Sequence, residues 1–454
     1  MSFRGKLWVL IVSGVIACYA VIGGLPAVGS LLTANAQQTV NDPNAQLKIV
    51  ESVLDHIQND YVDIPDMEKV RVGALRGLTS GLDPYSSYLT PEQAKEYTAG
   101  KADKTGIGAE FASVSGYLYV LSVTKGGPAD KAGVRNGDVI EYIDTKATRD
   151  VQLYDAIHLV EGEPGTTVAL RVLRSGEKPQ TIKVTRGDAA APAPETKMEA
   201  GKTGVVKLYS LDKGQSEKVL EAIKSLTKQG ASKIVLDLRA VAGGSLEEGV
   251  KVANFFIGTG ALATEVGKDN KITKTYSADP SKVVFEGKAA IVTNINTAGA
   301  AEAIVAAFSD HKRGAIVGER TFGAGSDQKF FPLSAGGGLL LTVAKWASPS
   351  GVPFFGDDRN SIGIKPSIEV KRGDTQDPDE VDSLLEKTAP QDPNQAAPAP
   401  TPTPKPVVRE DIQLKKAIEV VNTAPKGRGS CSVWAVRSKV CCGQPRHFQG
   451  RARP

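Results

Sequence analysis

The sequence predicts an α/β protein preceded by a β-rich module and a helical N-terminal unit. Three observations carry that expectation. From about residue 200, apolar runs of strand length alternate with amphipathic helical stretches: "GVVKLYSL", "GQSEKVLEAIKSLTKQG", "SKIVLDLR", "GSLEEGVKVANFFIG". That alternation marks a largely parallel sheet with covering helices. Residues 105–187 instead carry short alternating strands around glycine turns, with one helix, "VQLYDAIHLVE". Residues 45–100 repeat apolar positions at helical spacing.

In chain order, "MSFRGK" is a basic start, "LWVLIVSGVIACYAVIGG" an apolar run, and "ANA" at Ala34–Ala36 a small-x-small cleavage site. Residues 1–36 therefore read as a signal peptide or membrane anchor, and the chain as exported to a bacterial periplasm or cell envelope. "QLKIVESVLDHIQNDY" places Leu47, Val50, Val53, Leu54 and Ile57 on one helical face, with His56 at its surface. A second helix, "DMEKVRVGALRGLTSGL", opens on an Asp cap, and "DPYSSYLTPEQAKEY" reads as a turn, a short extended piece and a third helix. After the β-rich module, "DAAAPAPETK" reads as a Pro/Ala linker. The α/β segment, 200–372, continues with the strand "KAAIVTNI", the helix "AGAAEAIVAAFSDH", the strand "GAIVGE" and a later strand "GGGLLLTVAKWASPSG". Residues 373–454 read as a Pro-rich linker, one amphipathic helix, "REDIQLKKAIEVV", and a disordered basic tail.

The charge balance, 55 basic against 51 acidic residues for a net +4, argues against a dedicated nucleic-acid binder. The four cysteines are Cys18, Cys431, Cys441 and Cys442, so the body 45–372 has no disulfide framework. Cys431, Cys441, Cys442 and His447 match no standard zinc spacing. Neither a metal nor a cofactor is expected.

Parallel sheets carry their sites at the C-terminal ends of the strands. Two loops qualify, after "IVLDLR" and after "AAIVTN". The second is the strand-to-helix turn of "TNINTAGAAEAIVAAF", the kind of turn on which hydrolases place a nucleophile. Thr297 is its only hydroxyl.

Two resemblances extend this reading. "GGPADKAGVRNGDVIEYID" resembles the PDZ domains of bacterial proteases. It implies that the loop Gly106, Ile107 and Gly108 holds a peptide's terminal carboxylate on backbone N–H groups while the adjacent strand edge pairs with the peptide. The body, about 45–372, resembles the carboxyl-terminal processing peptidases, the tail-specific serine proteases of peptidase family S41. "LDLRAVAGG", "AAIVTNINTAGAAEAIVAAF" and "AIVGERTFGAGSDQ" fall on that family's three signature blocks, and "GIKPSIEV" on its closing strand. The resemblance implies a ClpP/crotonase-like core and a Ser–Lys dyad, in which a neutral Lys takes the proton from Ser.

The dyad's Ser lies in a "SASASE" turn and its Lys in "TFGKG". The matching positions here are Gly299 and Ala324, 25 residues apart, so both functional side chains are absent. Gln328 matches a supporting glutamine. The oxyanion block "DLRGNPGG" becomes "DLRAVAGG", with Ala240, Val241 and Ala242 in its middle, and Gly243, Gly244 and Ala300 remain as backbone donors.

The expected function is thus that of a C-terminal-processing-peptidase homologue that binds extended peptides or protein C-termini through the PDZ loop and a vacant cleft. Its expected state is a catalytically inactive pseudopeptidase. One alternative is an active serine-type endopeptidase using Thr297, or with lower weight Ser326, Lys329 or Lys345. Ser309, Asp310 and His311 name triad residue types but sit together at a helix end, where they cap it. The other alternative is a structural envelope scaffold. An active paralogue, a second copy and, through an uncleaved N-terminal segment, the membrane are further expected partners.

Overall fold

The computed structural model describes residues 43–100, 105–356, 362–372, 381 and 410–423. The expected leader, most of the Pro-rich linker and the cysteine-bearing tail lie outside the described residues. The chain divides into two compact units.

The first unit comprises 43–100, 152–154 and 328–342. Helix α1 (Pro43–Asp60) is followed by α2 (Met67–Ser80), whose N-cap Asp66 accepts from the amides of Glu68 and Lys69. The Asp83 carboxylate then accepts from the amides of Tyr85 and Ser86, folding "LDPYSSYL" into a turn that feeds strand β1 (Ser87–Leu89). A capping box between Thr90 and Gln93 starts α3 (Pro91–Ala99). Strand β1 pairs antiparallel with Gly338–Leu340. The apolar face of α1 is not buried: Leu47, Ile49, Val50 and Val53 are exposed. His56 is exposed too and pairs with Asp60.

The second unit holds the β-rich module and the α/β core. The module runs β2 (Ala109–Val114), β3 (Tyr117–Val123), α4 (Pro128–Ala132), β4 (Val139–Ile143), β5 (Lys146–Ala147), α5 (Leu153–Val160), β6 (Thr167–Leu173) and β7 (Gln180–Thr185). Its sheet order is β2-β3-β4-β6-β7, with β2 at an edge and the pairings antiparallel. Arg174 and Asp138, both buried, fasten β6 to the start of β4.

In the core, "ETKME" is not linker. It forms β8 (Glu195–Glu199), antiparallel to β9 (Thr203–Lys207), so the connection from the module is shorter than the composition suggests. There follow α6 (Gln215–Lys228), β10 (Lys233–Asp237), α7 (Leu246–Asn254), β11 (Ala261–Val266) and β12 (Ile272–Ser277). Next come β13 (Lys288–Thr293), α8 (Ala300–Asp310), β14 (Gly314–Gly318), β15 (Ser326–Pro332), β16 (Gly338–Ala347), β17 (Ile368–Glu369) and α9 (Ile412–Asn422). The main sheet has the order β17-β14-β13-β10-β9-β8 and is parallel except at β8. Strands β11 and β12, which carry no marked strand signal in the sequence, form a hairpin that pairs with Lys345–Ala347.

Alternate residues of the main sheet face opposite apolar layers. Val206, Ile234, Leu236, Ile291 and Ile316 pack under α6, α7 and α8. Val205, Val235, Ala290, Val292 and Val317 pack against Ala417 and Val421 of α9. Burial on both faces is why these strands read as continuous apolar runs. The amphipathic helix placed beyond the core by sequence therefore completes it. Its N-cap Asp411 pairs with the buried Arg239, which also pairs with Asp237. Burial disfavours the Arg239 charge, and the two carboxylates overcome that, holding the guanidinium above its usual value.

Ala417 is fully buried in this layer, whereas Lys416 is partly exposed. Ala417→Asp is expected to lower unfolding stability by about 2–4 kcal/mol, the cost of forcing an unpaired carboxylate into an apolar layer. Lys416→Asp is expected to change it by less than about 0.5 kcal/mol. Urea melts of the two variants check the pair.

Candidate functional site

Three loops at the C-terminal ends of β10, β13 and β14 meet in the second unit. The turn after β13 is tied to the loop after β10 by three bonds. Asn294 Oδ1 accepts from the Ala240 amide at 2.9 Å, the Ala298 amide donates to the Val241 carbonyl at 2.9 Å, and Thr297 Oγ1 donates to the Leu238 carbonyl at 2.9 Å. Thr297 Oγ1 also accepts from the Asn294 amide at 3.1 Å. Thr297 is fully buried, so its hydroxyl is a structural brace. Its proton and a lone pair are both engaged within the fold.

Gly299 is the N-cap of α8, with φ 61° and ψ −120°. This is the sharp, strained conformation of a strand-to-helix elbow, and glycine adopts it without the steric cost other residues meet. A Cβ built there would lie 3.8 Å from the Gly243 nitrogen and 3.8 Å from the Trp346 ring. The elbow thus retains room for a side chain beside a backbone N–H that fits an oxyanion donor. Gly243 and Gly244 both have positive φ, and a Cβ on Gly244 would lie 2.2 Å from the Leu211 carbonyl oxygen. These glycines are fixed by close approach.

Glu302, in the first turn of α8, is a site residue that the sequence reading passed over. Its side chain is fully buried. It accepts from the Gly299 amide at 2.9 Å, the Gly323 and Ala324 amides at 2.8 Å each, and Thr321 Oγ1 at 2.5 Å. One carboxylate therefore joins the elbow to the loop that carries the lysine slot. Burial pushes its carboxyl up to about 7 against the four donors. The signal was present: an acid three residues into a helix reads as a capping position.

Ala324 is buried, and its surroundings are apolar. It shares one cluster with Ala242, Ala298 and Phe322 of the core and with Ala112, Val114, Tyr119 and Leu121 of the module. The Tyr119 and Phe322 rings stack at 6.2 Å. Asn296 Nδ2 donates to the Val120 carbonyl at 3.3 Å and to the Tyr119 hydroxyl at 3.4 Å. The Glu110 side chain lies over Gly243, its carboxyl carbon 2.8 Å from where a Cβ would stand. Lys125 reaches Glu195 and Tyr209 at the rim. The expectation of a vacant cleft is therefore corrected: one face of the β2–β3 hairpin fills it, and a nonpolar lining at Ala242 and Ala324 favours that packing.

The other residues of interest are placed as follows. Lys345 lies over the Phe355 ring. Trp346 Nε1 donates to Asp327. Gln328 belongs to the first unit. His311 is the C-cap of α8 and its Nε2 bonds the Ala261 carbonyl oxygen, while Asp310 accepts from the Ser350 amide. These two do not converge. In the module, the carbonyls of Gly106, Ile107 and Gly108 accept from Gly187, Ala129 and Thr124. Gly108 has φ +72°, and a Cβ there would lie 2.5 Å from Ala189 Cβ. The loop thus borders the edge strand β2, the arrangement strand addition requires.

An antiparallel module with a carboxylate-type loop, docked on a parallel core with a strand-to-helix elbow, defines a PDZ-bearing serine-peptidase scaffold. Residues 202–370 match the model of peptidase family S41, and residues 105–185 match that of the PDZ domain. A probable CtpA-like serine protease of Staphylococcus aureus strain MSSA476 is 34% identical over 330 residues, covering 72% of this chain and 65% of that protein's length. One of Staphylococcus epidermidis is 31% identical over 372 residues, covering 80% of this chain and 74% of that protein. The solved photosystem II D1 C-terminal processing protease superimposes with a TM-score of 0.60 at 29% identity, over 75% of this chain and 89% of that one. The chain belongs to peptidase family S41 and is a homologue of its C-terminal processing proteases.

Two outcomes test the site. Ala324→Lys places an ammonium in the apolar cluster and is expected to loosen the PDZ face, with hydrogen exchange across 111–121 rising at least about tenfold, the effect of about 1.4 kcal/mol. Glu302 binds its proton more tightly folded than unfolded. Its contribution is thus fully present below the ordinary carboxyl range and is lost as pH rises through about 7. Glu302→Gln is expected to destabilise by roughly 1–3 kcal/mol, because an amide cannot accept on both sides, and to flatten the stability profile between about pH 4.5 and 7. Urea melts across that range check it.

Proposed function

We propose that this chain is an exported, non-catalytic S41 homologue that binds peptides or protein C-termini through its PDZ domain. The single observation that carries the reading is the state of the two dyad positions. Gly299 offers no nucleophile, and Ala324 is an apolar residue in a packed interface. Losing both partners leaves binding and any oxyanion donors. In a triad enzyme that remainder gives about 10³–10⁴-fold over water, far below useful turnover. The burial and bonding of Thr297 weigh against a substitute nucleophile on the same turn. The peptidase activity named for the staphylococcal relatives belongs to those proteins. The basic and apolar N-terminal segment supports export.

Peptide binding is supported by the Gly106–Gly108 loop beside an edge strand. The purified chain, incubated with an unfolded protein bearing an apolar C-terminus, is expected to leave the substrate's intact mass unchanged. Cleavage by the native chain would refute the non-catalytic reading. A fluorescent peptide ending in a free apolar carboxylate is expected to bind in anisotropy titrations, and its C-terminal amide to bind at least about tenfold more weakly, since one charge-assisted anchor is worth roughly 1.5–3 kcal/mol. Equal affinity for both would remove the carboxylate loop from the account.

A further inference from the structure

The stretch between β7 and β8 has the composition of a linker, "DAAAPAPETK", and begins beyond the residues that match the PDZ domain, 105–185. In the structure it is fastened along its length. The Gly187 amide donates to the Gly106 carbonyl at 3.2 Å. Ala189 packs on the same loop: its Cβ lies 2.5 Å from where a Cβ on Gly108 would stand and 3.4 Å from where one on Gly127 would stand. The Ala191 carbonyl accepts from Gln215 Nε2 at 3.2 Å, and Gln215, the first residue of α6, is buried. Glu195, which opens β8, pairs with Lys125 of the β3–α4 connection. Pro192 and Pro194 fix φ between these attachments and stiffen the stretch.

These contacts set the direction of the loop's donors. In a planar trans peptide the C=O and the N–H that follows it point in opposite directions. The Gly106 carbonyl faces the Gly187 amide, so the Ile107 N–H is turned away from the linker. The Ile107 carbonyl faces the Ala129 amide at 2.8 Å, so the Gly108 N–H is turned away from α4. Backbone donors hold an anion well when they are aimed before it arrives, because no binding energy is then spent on ordering them. Of the two supports, α4 belongs to the PDZ domain and the linker does not.

We propose that residues 187–191 are the back wall of the carboxylate loop, and that Gly187, Ala189 and Gln215 are positioning residues for a peptide's terminal carboxylate. Gly187 aims the Ile107 N–H, Ala189 fills the space against Gly108, and Gln215 pins the wall from the α/β core. The carboxylate site is thus completed by chain outside the PDZ domain. This inference rests on the carboxylate-loop reading and adds to it the residues beyond the domain that set its preference for a free C-terminus.

The readout is the ratio of affinities for a peptide ending in a free apolar carboxylate and for its C-terminal amide, from anisotropy titrations of the full chain. Gly187→Pro removes the donor to Gly106. Gln215→Met keeps the side-chain length and removes the donor to Ala191. Each variant is expected to bind the acid about three- to tenfold more weakly, the worth of one hydrogen bond, and the amide within about twofold of the native value, so that the ratio falls. Hydrogen exchange across β6, expected to be unchanged, shows that the PDZ domain is folded, and Gln215→Met decides the matter where Gly187→Pro unfolds it. A native preference for the acid that either folded variant retains overturns the inference and leaves the carboxylate loop standing. A native chain that binds acid and amide alike overturns the loop reading and this inference with it.

Discussion

A buried carboxylate with four donors around it holds this site together. Glu302 reaches from the first turn of α8 to the Gly299 elbow on one side and to Thr321, Gly323 and Ala324 on the other. Each of these three backbone amides sits where the chain turns, so no ladder satisfies it, and an unpaired buried amide costs on the order of a lost hydrogen bond. The carboxylate resolves three such deficits at once. Its own burial would be prohibitive without them. The loops and the acid are therefore interdependent, which explains how the elbow keeps its geometry with a glycine at position 299. The constraint that maintains the shape lies one turn away from the chemistry.

That separation bears on how much was legible from sequence. The strands of the main sheet and the helices over it were readable, because residues such as Ile234, Val235 and Leu236 are buried on both faces and form unbroken apolar runs. The loops after β10 and β13 were readable as candidate site loops, because each follows a buried parallel strand. What escaped was whatever depends on packing between distant segments. The β11–β12 hairpin is one case: in β12 every residue but Tyr276 is exposed, so no alternation marks it. Helix α9 is another. Its period was clear, but its attachment to the sheet rests on Arg239 meeting Asp411 across 172 residues, which no local pattern encodes.

The filled cleft belongs to the same class of hidden feature. Read singly, Ala242 and Ala324 are losses: an oxyanion loop made apolar and a base removed. In three dimensions they are gains for a different contact, because a lysine at 324 would have to bury an ammonium beneath Tyr119 and Phe322, at a cost of several kcal/mol unless it stayed neutral. A working enzyme of this type accepts that cost, since a lysine kept neutral by burial is what its chemistry uses. Proteins trade activity for stability at such sites.

The argument extends to motion. A gate opens when its closed state is only slightly favoured, and an active peptidase with a PDZ domain over its cleft requires such a balance. Here the closed contact combines aromatic stacking of Tyr119 on Phe322, the Asn296 bond to the β3 backbone, and an apolar cluster that includes Ala242, Ala298 and Ala324. Each element makes opening costlier, because separating the faces exposes apolar surface at about 25 cal/mol per Å² and returns little hydration in exchange. Ala242 and Ala324, which the resemblance places in the oxyanion loop and the lysine slot, are at the same time part of the apolar contact with the PDZ domain.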